Sequence, residues 1–322
     1  MSKKIPEALL ALLSDGRFHS GVAIGEALGV SRAAVWKQLQ KLDELGLTLE
    51  SVKGKGYRLP GGLDHLDADT IAAGLALPAV EILTDIDSTN AEMLRRLAGA
   101  EVPSGSVLVA EQQSAGRGRR GREWVSPFAK NLYFSMVWNF ANGAAALDGL
   151  SLVVGLSVVE ALHALGVGKA RLKWPNDVLF EGQKLAGVLL EISGDATGLC
   201  HVVVGVGLNV KMRPEDSSGI TQAWTSVERC LGQSVDRSEV LNQVLARLLV
   251  NIAQFEQQGL GPFITPWSTY DAFAAKDVVV SLGERQIFGV SRGIDERGQL
   301  LLEVNGQLQS FNGGEVSLRR VL

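Results

Sequence analysis

Gly116-Arg117-Gly118-Arg119-Arg120-Gly121-Arg122, followed by Trp124, packs four arginines and three glycines into seven residues. It comes after Val107-Leu108-Val109-Ala110, a run that reads as a buried strand. Guanidinium groups neutralise oxyanions through forked hydrogen bonds, and glycines let the backbone approach a ligand and close over it. An isolated arginine run is as readily a solvated basic loop or a nucleic-acid patch. The interleaved glycines, the tryptophan and the acidic surroundings point instead to a small anionic ligand such as a polyphosphate or an acyl-phosphate. Outward from this loop the chain divides into a helical head, an α/β centre and a β tail.

The 322 residues are enough for two or three domains with a substantial core. Apolar residues at 46% and charged residues at 20% are those of an ordinary globular protein. No apolar run approaches the ~18 residues of a membrane helix, and Met1-Ser2-Lys3-Lys4-Ile5-Pro6 lacks a secretory signal. Two cysteines, Cys200 and Cys230, support neither a disulfide scaffold nor a cysteine-based zinc site. A cytoplasmic protein with no membrane partner is expected. The net charge of −4 hides an asymmetry. Residues 1–60 hold nine Lys/Arg against six Asp/Glu, and the remainder 22 against 29. A basic head on an acidic body suits a nucleic-acid module attached to a domain with another task.

Residues 5–60 read as three short helices and a hairpin. Ile5, Leu9, Leu12 and Leu13 give the first helix an apolar stripe. Ser20 can cap the second, and Leu28-Gly29-Val30-Ser31 makes the tight turn of a helix-turn-helix. In the third helix Val35, Leu39 and Leu42 face the core. Arg32, Ala33, Trp36, Lys37 and Gln40 occupy the opposite face, a pattern suited to the major groove of DNA. Lys53 and Lys55 flank the hairpin tip, where they can sit over phosphates, so the module reads as a winged helix. A helical protein-interaction module shares the periodicity, but not the order of turn, cap and basic wing.

In the centre, Val80 to Ile86 reads as a strand ending in Asp87-Ser88-Thr89-Asn90, and Ala91 to Leu97 has helical composition. Such a junction offers hydroxyl, amide and backbone N–H groups to a ligand, although the same residues often serve only as a helix cap. Asn131 to Trp138 is a second strand, and Leu150 to Leu165 a buried helix in which His163 is an ordinary histidine. Arg171-Leu172-Lys173-Trp174-Pro175-Asn176-Asp177-Val178 forces a sharp turn. The lysine and aspartate around it can bind phosphate and a metal ion or ribose. In Gln183-Lys184-Leu185-Ala186-Gly187 a lysine enters the core strand Val188 to Ile192, so its ammonium needs a polar partner or exposure at the strand's start. Gly205-Val206-Gly207-Leu208-Asn209 lacks the third glycine of a dinucleotide fingerprint. No Walker A motif and no nucleophilic triad occur. From about residue 276 short strands alternate with turns at Gly283-Glu284, Asp295 to Gly298, Asn305-Gly306 and Asn312-Gly313-Gly314, the pattern of a small SH3-like β-barrel.

The loop at residues 116–122 with Trp124, Lys173-Trp174-Pro175-Asn176-Asp177, Lys184-Leu185-Ala186-Gly187 and Gly205-Val206-Gly207-Leu208-Asn209 match motifs of one family, in order. The chain resembles the bacterial family of bifunctional biotin protein ligases and biotin operon repressors along essentially its whole length. The resemblance implies a multi-domain α+β protein. Its parts would be a winged helix at residues 1–62, a mixed α/β ligase domain of class II synthetase type at 63–272, and an SH3-like domain at 273–322.

It also implies two half-reactions, in which ATP, with Mg2+, adenylates biotin and the biotinyl-5′-AMP is then transferred to a lysine of the biotin carboxyl carrier protein of acetyl-CoA carboxylase. Ser88, Thr89, Asn90 and Gln113 would hold biotin's ureido end, with Arg117, Gly118 and Arg119 closing over it. Lys184, and with it Arg119, would serve catalysis between carboxylate and phosphate. Arg117, Arg119, Arg122, Trp124, Lys173, Asn176 and Asn209 would hold the nucleotide, and Asp177 the metal. The adenylate-bound chain would dimerise and repress the biotin operon at its operator DNA. Two alternatives remain at this point. A lipoate-type acyl ligase shares the catalytic fold, and a ligand-sensing repressor would need no groups aimed at a phosphate.

Overall fold

The computed structural model describes residues 6–141, 143, 147–194, 198–282, 284–312 and 317–320. Ile5 of the first helix, Gly283 of one turn, and Gly313, Gly314 and Glu315 at the last turn and strand start therefore lie outside the described residues.

The head consists of α1 (Glu7–Leu13), α2 (Gly21–Leu28), α3 (Arg32–Glu44) and an antiparallel hairpin of β1 (Glu50–Val52) and β2 (Gly56–Arg58). Both serine caps form. Ser20 Oγ accepts from the Ala23 N–H at 3.0 Å and Ser31 Oγ from the Ala34 N–H at 3.4 Å, satisfying donors that a helix start leaves open. Leu9, Leu13, Ile24, Val35, Leu39 and Leu42 fill its core. That cluster continues onto Phe128 and Ala129 of the central domain, so the head is seated on the segment that follows the arginine loop.

The centre is built on a seven-stranded sheet. Its elements are α4 (Ala68–Ala72), β3 (Val80–Leu83), α5 (Thr89–Gly99), β4 (Val107–Ala110), β5 (Leu132–Phe140), α6 (Leu150–Ala164), β6 (Ala170–Lys173), β7 (Asp177–Phe180), β8 (Gln183–Gly194), β9 (Cys200–Leu208), α7 (Val227–Leu231), α8 (Arg237–Gln258) and α9 (Gly261–Tyr270). The strand order is β3-β4-β5-β9-β8-β7-β6, with β3 and β4 parallel and the other neighbours antiparallel. Strand side chains alternate between faces. Val107, Val109, Met136, Val202 and Val204 join the core made with α6 and α8. Leu108, Val137 and Val203 pack with Met93 of α5 on the other face.

Some boundaries differ from the sequence reading. The strand expected over Val80 to Ile86 stops at Leu83, and α5 begins at Thr89 rather than Ala91. Ser88 is its N-cap, so Thr89 and Asn90 form its first turn instead of a loop. The hydroxyl of Ser88 captures the Ala91 N–H and starts the helix early. No helix starts directly at the end of β9: the chain passes through a loop with a short 3-10 turn (Pro214–Asp216) before α7 begins at Val227, unlike the strand-to-helix turn of a dinucleotide fold.

The tail is a five-stranded antiparallel sheet of β10 (Asp277–Leu282), β11 (Arg285–Ile294), β12 (Leu300–Val304), β13 (Gln307–Phe311) and β14 (Ser317–Arg320), in the order β13-β12-β11-β10-β14. Asn305 (φ 50°) and Gly306 (φ 76°) both take positive φ between the paired Val304 and Gln307, the geometry that a tight hairpin requires. Val278, Val280, Leu300 and Leu302 run into the central core. Trp174, buried at the turn between β6 and β7, donates its indole N–H to the Gly298 carbonyl at 2.9 Å, fastening that turn to the tail.

Candidate active site

The site forms on the sheet face that α5 covers, where the strand side chains run out. Along β9 that face carries Val203, then Gly205, then Gly207. Opposite them on β5 stand Val137, Ser135 and Tyr133, and on β8 Leu189 pairs with Gly205 and Gly187 with Gly207. A Cβ on Gly205 would lie 2.2 Å from Asn90 Oδ1, and one on Gly207 2.4 Å from the Trp124 ring. Hydrogen at these two positions keeps the floor open for the first turn of α5 and for the tryptophan.

The resulting inner pocket is lined by Ser88, Thr89, Asn90, Gln113, Trp124, Lys184 and the β8 and β9 floor, with Arg117, Gly118 and Arg119 at its rim. Thr89 is fixed through its N–H to Gln113 Oε1 at 2.9 Å, and Ser135 Oγ donates to Thr89 Oγ1 at 2.8 Å. Asn90 donates to Glu191 Oε2 at 2.9 Å and to the Leu189 carbonyl at 3.2 Å. Gln113 also donates to Ser126 Oγ at 3.3 Å. These polar groups are buried or partly buried and satisfy one another, which orders the lining before any ligand arrives.

A larger outer cavity of about 790 Å³ opens beside it, lined by Arg119, Arg122, Trp124, Lys173, Asn176, Asp177, Lys184, Asn209 and residues 218–222. The two share Gly118, Arg119, Trp124, Asn176 and Lys184, so the cations stand where the contents of both cavities would meet. Lys184 enters at the start of β8. Its ammonium lies 2.7 Å from Asp177 Oδ1 and 5.3 Å from the centre of the Trp124 ring. Asp177 Oδ2 is 3.8 Å from Lys173 Nζ. Arg119 donates to Asn176 Oδ1 at 3.2 Å, and burial followed by the charge of Arg120 lowers its guanidinium pKa. The Trp124 indole nitrogen is buried against Gly207 without a hydrogen-bond partner.

The structure thus brings Ser88, Thr89, Asn90, Gln113, Arg117, Gly118, Arg119 and Lys184 to one pocket. It brings Arg122, Trp124, Lys173, Asn176, Asp177 and Asn209 to the adjoining one. Among the described residues no group of three His, Cys, Asp or Glu side chains converges as a metal site. In the head, Arg32, Ala33, Trp36, Lys37 and Gln40 are all exposed on one face of α3, and Lys53 and Lys55 are exposed at the hairpin tip.

Several lining or supporting residues escaped the sequence reading. Glu191 accepts from both Arg117 (2.9 Å) and Asn90, tying the arginine loop to the pocket wall. A lone carboxylate in the apolar strand Val188 to Ile192 was its only signal. Ser135, fully buried, left none beyond being polar in a strand. Thr221 and Gln222 line the outer cavity from a loop without a distinctive pattern, and Trp224 lies beside them.

A helix-turn-helix head joined to a mixed sheet with two confluent pockets and a lysine at their junction defines a class, the acyl-adenylating ligases that carry a DNA-binding module. The model of the Biotin/lipoate A/B protein ligase family matches residues 83–209, that of the HTH domain residues 7–58, and that of the Biotin protein ligase C terminal domain residues 276–319. The chain is 44% identical to the Bifunctional ligase/repressor BirA of Salmonella typhimurium, covering 98% of each. It is 38% identical to the Biotin--[acetyl-CoA-carboxylase] ligase of Paracoccus denitrificans over 73% of this chain and 98% of that one. Among solved structures, the biotin protein ligase from Aquifex aeolicus in complex with biotin and ATP matches at a TM-score of 0.65 and 36% identity, over 76% of this chain and all of that one. The chain belongs to the family of bifunctional biotin protein ligases and repressors.

Proposed function

We propose that this chain adenylates biotin with ATP, transfers it to a lysine of a biotin carboxyl carrier protein, and represses transcription when it holds the adenylate. The observation that carries the reading is the pair of confluent pockets with Lys184 and Arg119 at their junction. Biotin occupies the inner pocket, its ureido ring toward Ser88, Thr89, Asn90 and Gln113. ATP occupies the outer one, with Trp124 against the nucleotide and Arg122, Lys173, Asn176 and Asn209 around it, while Arg117, expected from the sequence to hold the nucleotide too, stands at the rim of the inner pocket paired with Glu191. Gly118 lets the arginine loop close over both.

A biotin carboxylate oxygen attacks the α-phosphorus, the new P–O bond forms, and pyrophosphate leaves with the electron pair of the bond that breaks. Two anions must approach, so the barrier falls where cations already stand, and Lys184 and Arg119 are held there by Asp177 and Asn176. The neutral amine of the acceptor lysine then attacks the biotinyl carbonyl. The C–O bond to AMP breaks, and the amine proton goes to solvent. No enzyme nucleophile enters either step. Mg2+, when bound with ATP, would supply charge neutralisation for the phosphates. Asp177, which lies beside Lys184 and Lys173, would help to hold it.

The test is transfer of labelled biotin to a purified carrier domain with ATP and magnesium present or withheld. ATP-dependent labelling of the carrier lysine is the expected result. Bound biotin without labelling would leave a ligand-sensing repressor, and labelling with lipoate in preference to biotin would indicate the related acyl ligase.

Gly205→Ala probes the inner pocket separately. Its methyl must displace Asn90 from Ser135 and Glu191, an overpacking that costs about 1–3 kcal/mol. Biotin binding measured by calorimetry should weaken by about tenfold or more, while the DNA face of the head is untouched. Affinity within a factor of two of wild type would count against this placement.

For repression, adenylate in the closed site favours a homodimer that sets two α3 helices into successive major grooves of the biotin operator. Arg32, Ala33, Trp36, Lys37 and Gln40 face the bases and flanking phosphates, and Lys53 and Lys55 the backbone beside them. Replacing Lys53 and Lys55 together with alanine should weaken operator binding uniformly across sequences. It should also reduce the salt slope by about one unit for each phosphate that is no longer neutralised. Biotin transfer should not change. An unaltered salt slope would remove the hairpin from the interface.

A further inference from the structure

Asn131, one residue before β5, is wholly buried and reaches neither pocket, yet it holds a residue that does. Its Oδ1 accepts from the Val210 N–H at 3.0 Å, which settles which end of the amide carries oxygen. Its Nδ2 therefore faces Asn209 Oδ1 at 3.4 Å and Met212 Sδ at 3.3 Å. Asn209 Nδ2 in turn donates to the Thr225 carbonyl at 3.1 Å. The Asn209 amide is clamped at both ends, so its orientation toward the outer cavity is set from behind.

The support extends one step further. The carbonyl of Asn131 accepts from Arg237 Nη1 at 3.1 Å, and Arg237, fully buried, is held by Glu111 Oε2 at 2.8 Å. Asn209 lines the outer cavity and is not among the residues of the inner one.

We propose that Asn131 is a positioning residue for the nucleotide half of the ligase site, acting through the Asn209 amide. The proposal rests on the ligase reading above. An amide oriented from behind presents its donor and acceptor to a ligand at no further ordering cost, whereas a free one must be fixed on binding. Because Asn209 serves only the outer cavity, loss of Asn131 weakens ATP use and leaves biotin binding alone.

The experiment measures biotin-dependent ATP–pyrophosphate exchange by the full-length chain, varying ATP and biotin separately. It compares wild type with Asn131→Ala, Asn131→Asp, Asn209→Ala and the double variant Asn131→Ala/Asn209→Ala, and records thermal melting of each. Asn131→Asp keeps an acceptor for Val210 but turns an oxygen toward Asn209 Oδ1, so it reverses the clamp within the same outline.

The expected result is an ATP KM raised about tenfold in both Asn131 variants, as for loss of a residue that orients a group touching the ligand. The biotin KM should stay within a factor of two, and the double variant should be no worse than Asn209→Ala. The proposal is overturned if folded Asn131 variants keep a wild-type ATP KM, if the ATP and biotin KM rise together, or if the two substitutions add. Should one Asn131 variant fail to fold, the other carries the comparison. Should neither fold, Asn131 is a structural residue and the proposal is overturned. A wild-type chain without biotin-dependent exchange overturns the ligase reading itself, an outcome distinct from all of these.

Discussion

Lys184→Ala is expected to slow biotin adenylation by about a hundredfold or more, the size of effect seen when one charge-stabilising donor is removed from a transition state. The ammonium stands at the junction of the two pockets, only 15% exposed, with Asp177 at 2.7 Å and the face of Trp124 behind it. Both reactants are anionic there, so charge increases on the oxygens between them as the P–O bond forms. Alanine leaves that charge to Arg119 and also removes the nearer cation from Asp177, leaving it Lys173 at 3.8 Å, so its carboxylate adds repulsion. Single-turnover formation of biotinyl-5′-AMP measures the step directly. Biotin affinity, set mainly by the inner pocket, should change much less than the rate. A rate within fivefold of wild type would remove Lys184 from the chemistry. Asp177→Asn is its natural companion. It keeps the outline but loosens the lysine, and should give a smaller loss in the same assay.

Arg237→Leu is expected to be the most damaging substitution for stability. The guanidinium at the start of α8 is fully buried, 2.8 Å from Glu111 and 3.7 Å from Asp64, and donates to the carbonyls of Asn131 and Asp64. Glu111 is itself buried, and its other oxygen accepts from the Leu66 N–H at 2.9 Å. Removing one member of a buried ion pair strands the other, at about 3–5 kcal/mol. The loss falls where residues 64–66, just beyond the head, meet β4, β5 and α8. Urea unfolding followed by tryptophan fluorescence should show it as an earlier midpoint. The double variant Arg237→Leu/Glu111→Leu, which strands neither charge of the pair, should recover part of it. A midpoint shift worth less than about 1 kcal/mol would show that water or Lys211, 2.7 Å from Asp64, already balances the cluster.

Much of this molecule is legible along the chain alone. The head is local in origin, because a serine cap, a helical stripe and a glycine turn act over three or four residues. Arg32, Trp36 and Lys37 could therefore be assigned to an outer face from spacing alone. The Asn305-Gly306 hairpin is local in the same way. The motif residues from Ser88 to Asn209 were legible as a set through family resemblance. Periodicity alone left the cap residues and the Trp174 turn ambiguous. The strand end at Leu83 was missed because the apolar run continues to Ile86, which still bridges Gln113 after the break in regular pairing.

The amino-acid sequence by itself determined the three-part order, the helix-turn-helix, the buried strands and the supply of cations and glycines for an anionic ligand. Only the tertiary structure decided which of those cations meet. Lys184 and Arg119 lie 65 positions apart in the chain, and their common junction follows from β8 pairing with β9 and from the arginine loop folding back over that sheet. It also decided the supporting layer of Ser135, Glu191, Asn131 and Arg237. Those side chains carry no motif, since a hydrogen bond or ion pair formed across the fold depends on distance in space and leaves no periodic trace along the chain.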